Sequence, residues 1–186
     1  MDRDLKLIKQ IKKKGSEAAA NELVSHYYRE IYHYVYKQTL DQEQSLDLTQ
    51  EIFINMLQGL HLFEGKRASF RTWLYKIATY KMVDYFRSRQ YKYRKLSDDL
   101  DDMEIGDEHD FTNKLLQKEK MESVMEVVNG LETSLQQILR LKLFGDYTFQ
   151  EIAASLQIPE STVKTKFYRS LKLVRKEVKE GHDYEG

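Results

Sequence analysis

The residues best able to do chemistry lie near the end of the chain, where a short capped helix, a tight break and a basic helix follow one another. Thr148 and Glu151 have capping-box spacing, in which the threonine hydroxyl accepts from a free backbone N–H and the glutamate reaches back. Pro159 prevents that helix from continuing, and Ser161 can cap the next one. Residues 148–164 therefore have the pattern of a helix-turn-helix, whose second helix enters the major groove of DNA.

The second helix of this motif has a one-sided charge pattern. Residues 161–176 contain six basic side chains and no acidic one. Val163 and Phe167 begin an apolar stripe, and the basic side chains lie off that stripe. An ordinary solvated face carries both signs of charge, whereas a face that meets phosphates and base edges excludes acids. The motif alone indicates DNA binding, without indicating which kind of DNA-binding protein carries it.

A second basic block lies far upstream, at residues 66–95. It holds ten Lys or Arg residues against one acid, Asp84, with eight aromatic residues interleaved. Positive charge follows a phosphate backbone, and exposed aromatic faces can stack unpaired bases at roughly 1–3 kcal/mol each. This combination suits single-stranded or opening DNA better than closed duplex. Most of the aromatic residues have helical spacing, so we expect core packing for them, including Phe70 and Trp73.

Composition narrows the class of protein further. The formal charge is zero because basic and acidic regions cancel. Residues 1–95 contain 18 basic and 11 acidic residues, residues 96–130 contain 3 basic and 11 acidic residues, and residues 131–186 contain 9 basic and 8 acidic residues. The absence of cysteine excludes disulfides and thiolate metal sites, and the five histidines lack paired metal spacing. We therefore expect no cofactor and no metal. With neither a signal-peptide core nor an apolar run of spanning length, a soluble cytoplasmic protein is expected.

One proline, eight glycines and helical apolar spacing predict an all-α fold. Eight acids between residues 97 and 110 repel one another and extend the chain, which favours a flexible linker. Two small helical domains, 1–95 and 114–186, would then be joined by an acidic linker at 96–113, and the polar segment Asp41–Ser45 would separate two helices. The predicted helices cover residues 3–14, 16–39, 46–60, 70–90, 114–130, 135–144, 149–156 and 161–179.

Three motifs in this order resemble a bacterial sigma factor. They are residues 47–53 (Asp-Leu-Thr-Gln-Glu-Ile-Phe), residues 70–78 (Phe-Arg-Thr-Trp-Leu-Tyr-Lys-Ile-Ala) followed by Asp84, and the helix-turn-helix. The chain is most similar to the extracytoplasmic-function group, which keeps only the two promoter-reading domains. The resemblance covers residues 16–95 and 115–178. It implies a protein that is not an enzyme and that lends promoter specificity to RNA polymerase.

The resemblance also implies roles for individual positions. The loop Phe63–Ser69 and the helix after it match the element that captures a flipped base of the downstream, or −10, promoter element. The resemblance implies that the chain binds the β′ clamp helices of core RNA polymerase and also contacts the β subunit. The polymerase-binding positions are Asp47, Gln50, Glu51 and Phe53. The −10 positions are Lys66, Arg67, Ser69, Arg71, Lys76, Tyr80, Asp84 and Arg87. The positions for the upstream, or −35, element are Ser161, Thr162, Lys164, Thr165, Tyr168 and Arg169.

The resemblance also implies partners, and other readings of the sequence remain beside it. Core RNA polymerase and promoter DNA are the implied partners, with an anti-sigma factor implied by the family alone and no membrane insertion. The family commonly has Asn where this chain has Tyr80. The family's preference for a base of the −10 element at this position therefore does not apply to this chain. A free-standing helix-turn-helix regulator that binds a palindrome as a dimer is the alternative. A helical scaffold or RNA-binding adaptor is a more distant reading.

Overall fold

The computed structural model describes residues 3–66, 68–88 and 121–182, and every regular element in these ranges is helical, which confirms the all-α prediction. None of the helices in these ranges is both long and apolar enough to span a membrane. The first half contains α1 (Arg3–Lys14), α2 (Glu17–Thr39), α3 (Gln42–Gly59), a 3₁₀ turn (Leu60–Leu62) and α4 (Phe70–Arg87). The second half contains α5 (121–130), α6 (Thr133–Leu143), α7 (Phe149–Leu156) and α8 (Glu160–His182).

The start of α3 differs from the sequence prediction. The helix begins at Gln42 because Asp41 is its N-cap, with the carboxylate accepting from the backbone N–H of Gln44 at 2.9 Å. Leu40, in the left-handed region at φ 55°, makes the turn that separates α2 from α3. The expectation of a separating segment at Asp41–Ser45 was therefore wrong, since the cap and one left-handed residue suffice.

The core of the first half is formed by α2, α3 and α4, with α1 packed on α2. Leu23, Ile31, Ile52, Met56 and Leu74 are all fully buried. Burying a side chain of this size stabilises the fold by about 1.5–3 kcal/mol. The packing holds α3 and α4 side by side, so that each presents one outer face to solvent.

The helix-turn-helix forms as predicted. The Thr148 hydroxyl accepts from the Glu151 N–H at 3.2 Å, and the Thr148 N–H donates back to the Glu151 carboxylate at 2.8 Å. The Glu151 carboxylate accepts from the Thr148 N–H and also from the Thr148 hydroxyl, and these two hydrogen bonds hold the pKa of Glu151 below its usual value. Gln157 ends α7 in the left-handed conformation, with φ 57°, which turns the chain toward α8.

The two halves pack against each other, with α4 in contact with α6 and α7. Arg140 of α6 is fully buried and donates to Gln38 of α2 at 2.6 Å and to Asn129 of α5 at 2.5 Å. Its guanidinium carbon lies 4.7 Å from the centre of the Phe86 ring. Arg140 thus joins the two halves. The division at 1–95 and 114–186 stays a prediction, and the linker at 96–113 lies outside the described residues.

Candidate nucleic-acid interface

Helix α8, the second helix of the helix-turn-helix, separates its buried and exposed residues as the sequence predicts. Val163 is fully buried and Phe167 is 7% exposed, while Tyr168 is 61% exposed. The helix begins at Glu160, so Ser161 lies in the first turn rather than at the predicted cap. Ser161 is exposed and Thr162 half-buried. The exposed face that we call the α8 face is formed by Ser161, Lys164, Thr165, Tyr168 and Arg169.

Two lysines of α8 have different partners. The Lys164 ammonium makes an ion pair with Glu160 at 2.6 Å, and the hydrogen bond to that carboxylate raises the pKa of Lys164. Lys166 turns away from the α8 face and donates to Ser134 of α6 at 2.7 Å. The α8 face therefore carries Lys164 as a charged side chain, whereas Lys166 stabilises the packing of α8 on α6.

The loop before α4, residues 63–69, is anchored by an aromatic cluster. Phe63 is buried, with its ring centre 5.6 Å from that of Phe70 and 5.3 Å from that of Trp73. Ser69 is the N-cap of α4, and its hydroxyl accepts from the Thr72 N–H at 3.1 Å. Lys66 is exposed in the same loop and pairs with Glu64 at 3.2 Å. The predicted −10 residue Arg67 lies outside the described residues.

The predicted −10 residue Arg71 is half-buried and has several partners within the protein. Its guanidinium is 2.6 Å from the Glu30 carboxylate and lies 4.7 Å from the Tyr75 ring centre and 5.0 Å from that of Tyr147. Burial alone would lower the pKa of Arg71, but the hydrogen bond to Glu30 and the neighbouring groups raise it. Tyr75 donates to the same Glu30 oxygen at 2.9 Å. Arg71 thus contributes to a cluster that joins α2, α4 and the start of the helix-turn-helix, and its −10 role stays a prediction.

The predicted outer stripe of α4 is present. Lys76 is half-buried, Tyr80 is 44% exposed, and Asp84 and Arg87 are exposed. Their spacing of four, four and three residues places them along one side of the helix. An Arg87 guanidinium nitrogen lies 3.4 Å from the Thr133 hydroxyl of α6. The α4 stripe thus runs from the loop at residues 63–69 to the second half of the protein.

A cavity of about 380 Å³ lies between this loop and α7. Trp73, Lys66 and Lys76 line it together with Glu64. Ser155 and Gln157 of the helix-turn-helix also line it, which sequence reasoning had not connected with the loop. An aromatic face beside two cations can hold a nucleic-acid base and its phosphate.

The outer face of α3 carries the predicted polar stripe, with Asp47, Gln50 and Glu51 all exposed. Glu51 makes an ion pair with Lys81 of α4. Ile54 is 53% exposed on the same face, an apolar residue that the sequence analysis did not single out. The α3 face, residues 47, 50, 51 and 54, thus combines polar side chains with one exposed apolar contact.

Phe53 departs from its predicted place. It is 4% exposed and its ring stacks on that of Tyr28 of α2, with ring centres 5.8 Å apart. Phe53 is therefore part of the core and cannot contact a partner directly. Its packing holds α3 on α2 and so positions the α3 face.

Fold and surfaces together define an all-helical protein that binds DNA through a helix-turn-helix. Residues 23–91 match the Sigma-70 region 2 family, and residues 121–174 match Sigma-70, region 4. The chain is 31% identical over 153 residues to the ECF RNA polymerase sigma factor SigX of Bacillus subtilis, covering 81% of this chain and 78% of that protein. It is 27% identical to SigW of the same organism, covering 94% of this chain and 96% of that protein.

The chain belongs to the extracytoplasmic-function group of RNA polymerase sigma factors. It directs transcription initiation at promoters, and the alternative of a free-standing regulator is not favoured.

Two solved structures share the fold. CnrH, in complex with the cytosolic domain of CnrY, superposes with a TM-score of 0.60 at 19% identity and full coverage of both chains. The sigma factor RpoE of Bartonella quintana, in complex with the anti-sigma factor NepR, has a TM-score of 0.51 at 13% identity, covering 86% of this chain and 96% of that one. At these identities the likeness concerns the fold alone.

Proposed function

We propose that this sigma factor divides its work among three surfaces. The α8 face reads the −35 element, the loop at residues 63–69 with the α4 stripe reads the −10 element, and the α3 face binds the β′ clamp helices of core RNA polymerase. The observation that carries the proposal is the α8 face itself. Its side chains point to solvent on a helix whose other side is locked into the core through Val163.

The −35 assignment depends on the chemistry of the α8 face. Lys164 and Arg169 can donate to phosphates or to guanine acceptors, and Thr165 offers a hydroxyl and a methyl group to base edges. Tyr168 is 61% exposed and can contact the sugar–phosphate backbone. Ser161 and Thr162 lie at the helix start, where backbone N–H groups favour a phosphate.

The −10 assignment depends on the cavity beside the loop. A flipped base costs a few kcal/mol to extrude, which stacking and backbone contacts must offset. Trp73 supplies the ring for stacking, and Lys66 and Lys76 supply the charge. Ser155 and Gln157 line the same cavity, so α7 lies beside the proposed base site.

The α3 face is proposed to bind the polymerase. Asp47 and Glu51 provide negative charge for a basic partner surface, and Ile54 provides an exposed apolar contact beside Glu51. The protein would catalyse nothing itself and would act in the cytoplasm, where the polymerase lies. An anti-sigma factor is a further proposed partner. This proposal is supported by the RpoE–NepR complex, in which the sigma factor RpoE has the same fold as this chain.

Reversing the charge of the α3 face should weaken binding to core polymerase. In the double variant Asp47→Lys with Glu51→Lys, like charges meet across the interface, at a cost of several kcal/mol. We expect affinity to fall about 100-fold, which corresponds to ~3 kcal/mol, measured by fluorescence anisotropy of labelled sigma factor titrated with core enzyme.

The matched control is Glu17→Lys, which reverses an exposed charge on α2. It should bind core polymerase like the wild type. Equal binding by the double variant and the control would show that α3 does not carry the polymerase surface.

A further inference from the structure

The N-terminal helix α1 is joined to the loop at residues 63–69 by two contacts that the function described so far does not use. Lys12, in the last turn of α1, donates from Nζ to the Phe63 carbonyl at 2.5 Å and to the His61 carbonyl at 3.1 Å. These two carbonyls end the 3₁₀ turn and open the loop. A cation at this point satisfies backbone acceptors at the end of a helical turn and fixes the path of the chain.

The second contact lies at the bend of the loop. Gly65 has φ +70°, and a Cβ placed on it would lie 2.8 Å from Cδ2 of Leu5 in α1. The loop backbone therefore rests directly on a leucine of α1. Loop residues from 63 to 65 are thus held on one side by α1, while Phe63 is held on the other by Trp73.

Helix α1 is itself anchored. Leu7 and Ile8 are buried against α2, and the Tyr27 hydroxyl of α2 donates to the Asp4 carboxylate at 2.6 Å. Helix α1 is therefore fixed to α2 on one side and to the loop on the other. Helix α1 lies outside the range that matches the Sigma-70 region 2 family, which begins at residue 23.

We propose that Lys12 is a positioning residue for base capture, which holds residues 63–65 of the loop in the geometry that receives an unpaired −10 base. The proposal rests on the −10 function assigned to that loop above. Removing the Lys12 ammonium leaves the His61 and Phe63 carbonyls without their donor, so that Phe63 can move away from Trp73. Capture of a −10 base then requires the loop to become ordered again. Contacts to polymerase and to the −35 element do not depend on Lys12.

The test uses holoenzyme reconstituted with wild-type sigma factor, Lys12→Met or Lys12→Arg. The probes are labelled single-stranded oligonucleotides that carry the non-template −10 sequence of a promoter at which the holoenzyme initiates. One is intact, and each of the others has a single abasic site. The wild-type protein identifies the captured position as the abasic site that weakens binding most.

We expect Lys12→Met to bind the intact oligonucleotide about tenfold more weakly, and to bind the oligonucleotide that is abasic at the captured position like the wild type. Lys12→Arg, which keeps a charged donor, should stay within about twofold of the wild type on both probes. Lys13→Met, which removes a neighbouring exposed charge on α1, is the matched control and should also leave both affinities unchanged.

Two results would overturn the positioning role. One is wild-type affinity of Lys12→Met for the intact probe, and the other is equal weakening on the intact and abasic probes, which indicates a general structural effect. If Lys12→Met does not fold, Leu5→Ala takes its place, with a loss of about threefold expected on the intact probe only. If no abasic site affects the wild type, base capture by this loop is refuted together with the inference.

Discussion

Replacing Lys164 and Arg169 together with alanine is expected to lower the affinity of the holoenzyme for −35 DNA about 100-fold. Both side chains are exposed on the α8 face, and each good contact to a base edge contributes about 1–3 kcal/mol. Two contacts of about 1.4 kcal/mol each, within this range, give ~2.8 kcal/mol, which is about 100-fold in affinity. The measurement is holoenzyme binding to a duplex with the −35 element, repeated over several salt concentrations, because lost phosphate contacts also reduce the salt dependence.

The control for this experiment removes the same charge elsewhere. Lys9 and Lys13 are exposed on α1, and their double alanine variant should keep −35 binding within about twofold. Binding of the Lys164 and Arg169 variant to core polymerase should remain unchanged. A variant that lost polymerase binding and kept its −35 affinity would show that the two surfaces are assigned the wrong way round.

Replacing Arg140 with methionine is expected to destabilise the folded protein by about 3 kcal/mol. Methionine fills much of the volume but leaves the side-chain amide oxygens Oε1 of Gln38 and Oδ1 of Asn129 without the donor that they have in the wild type. Hydrogen bonds from a charged group contribute about 1.5–3 kcal/mol each when they are buried. For a chain of this length the loss should lower the melting temperature by about 6–12 °C.

Thermal unfolding followed by circular dichroism measures this effect, with Arg175→Met as the control. Arg175 is exposed on α8, so its replacement should change the melting temperature by less than about 2 °C. A shift of that small size in the Arg140 variant would mean that the contact between the two halves adds little to stability.

Helix ends were predictable where a cap lies close in sequence to the helix that it starts. Thr148 and Glu151 are three residues apart, and the predicted start of α7 is correct. Asp41 caps α3 in the same way, yet its neighbours are so polar that the apolar pattern becomes visible only from residue 46. The apolar periodicity of a helix thus places its middle better than its first turn.

The candidate site was predictable where a residue's position follows from helical periodicity alone. The exposed positions of α8 and the outer stripe of α4 follow from their spacing to buried neighbours. Arg71 and Phe53 could not be placed in this way. Their partners, Glu30 and Tyr28, lie on another helix, 41 and 25 residues earlier in the chain. Such contacts are set by tertiary packing, which a single sequence does not reveal.

We propose that this chain gives core RNA polymerase its choice of promoter through two separate DNA surfaces. Run-off transcription with purified core enzyme tests it most directly, on a template that carries both elements and on templates with either element scrambled. We predict a product of defined length only when the sigma factor is present and both elements are intact. Tight sequence-specific duplex binding by the sigma factor alone, with no run-off product on the intact template, would contradict the account.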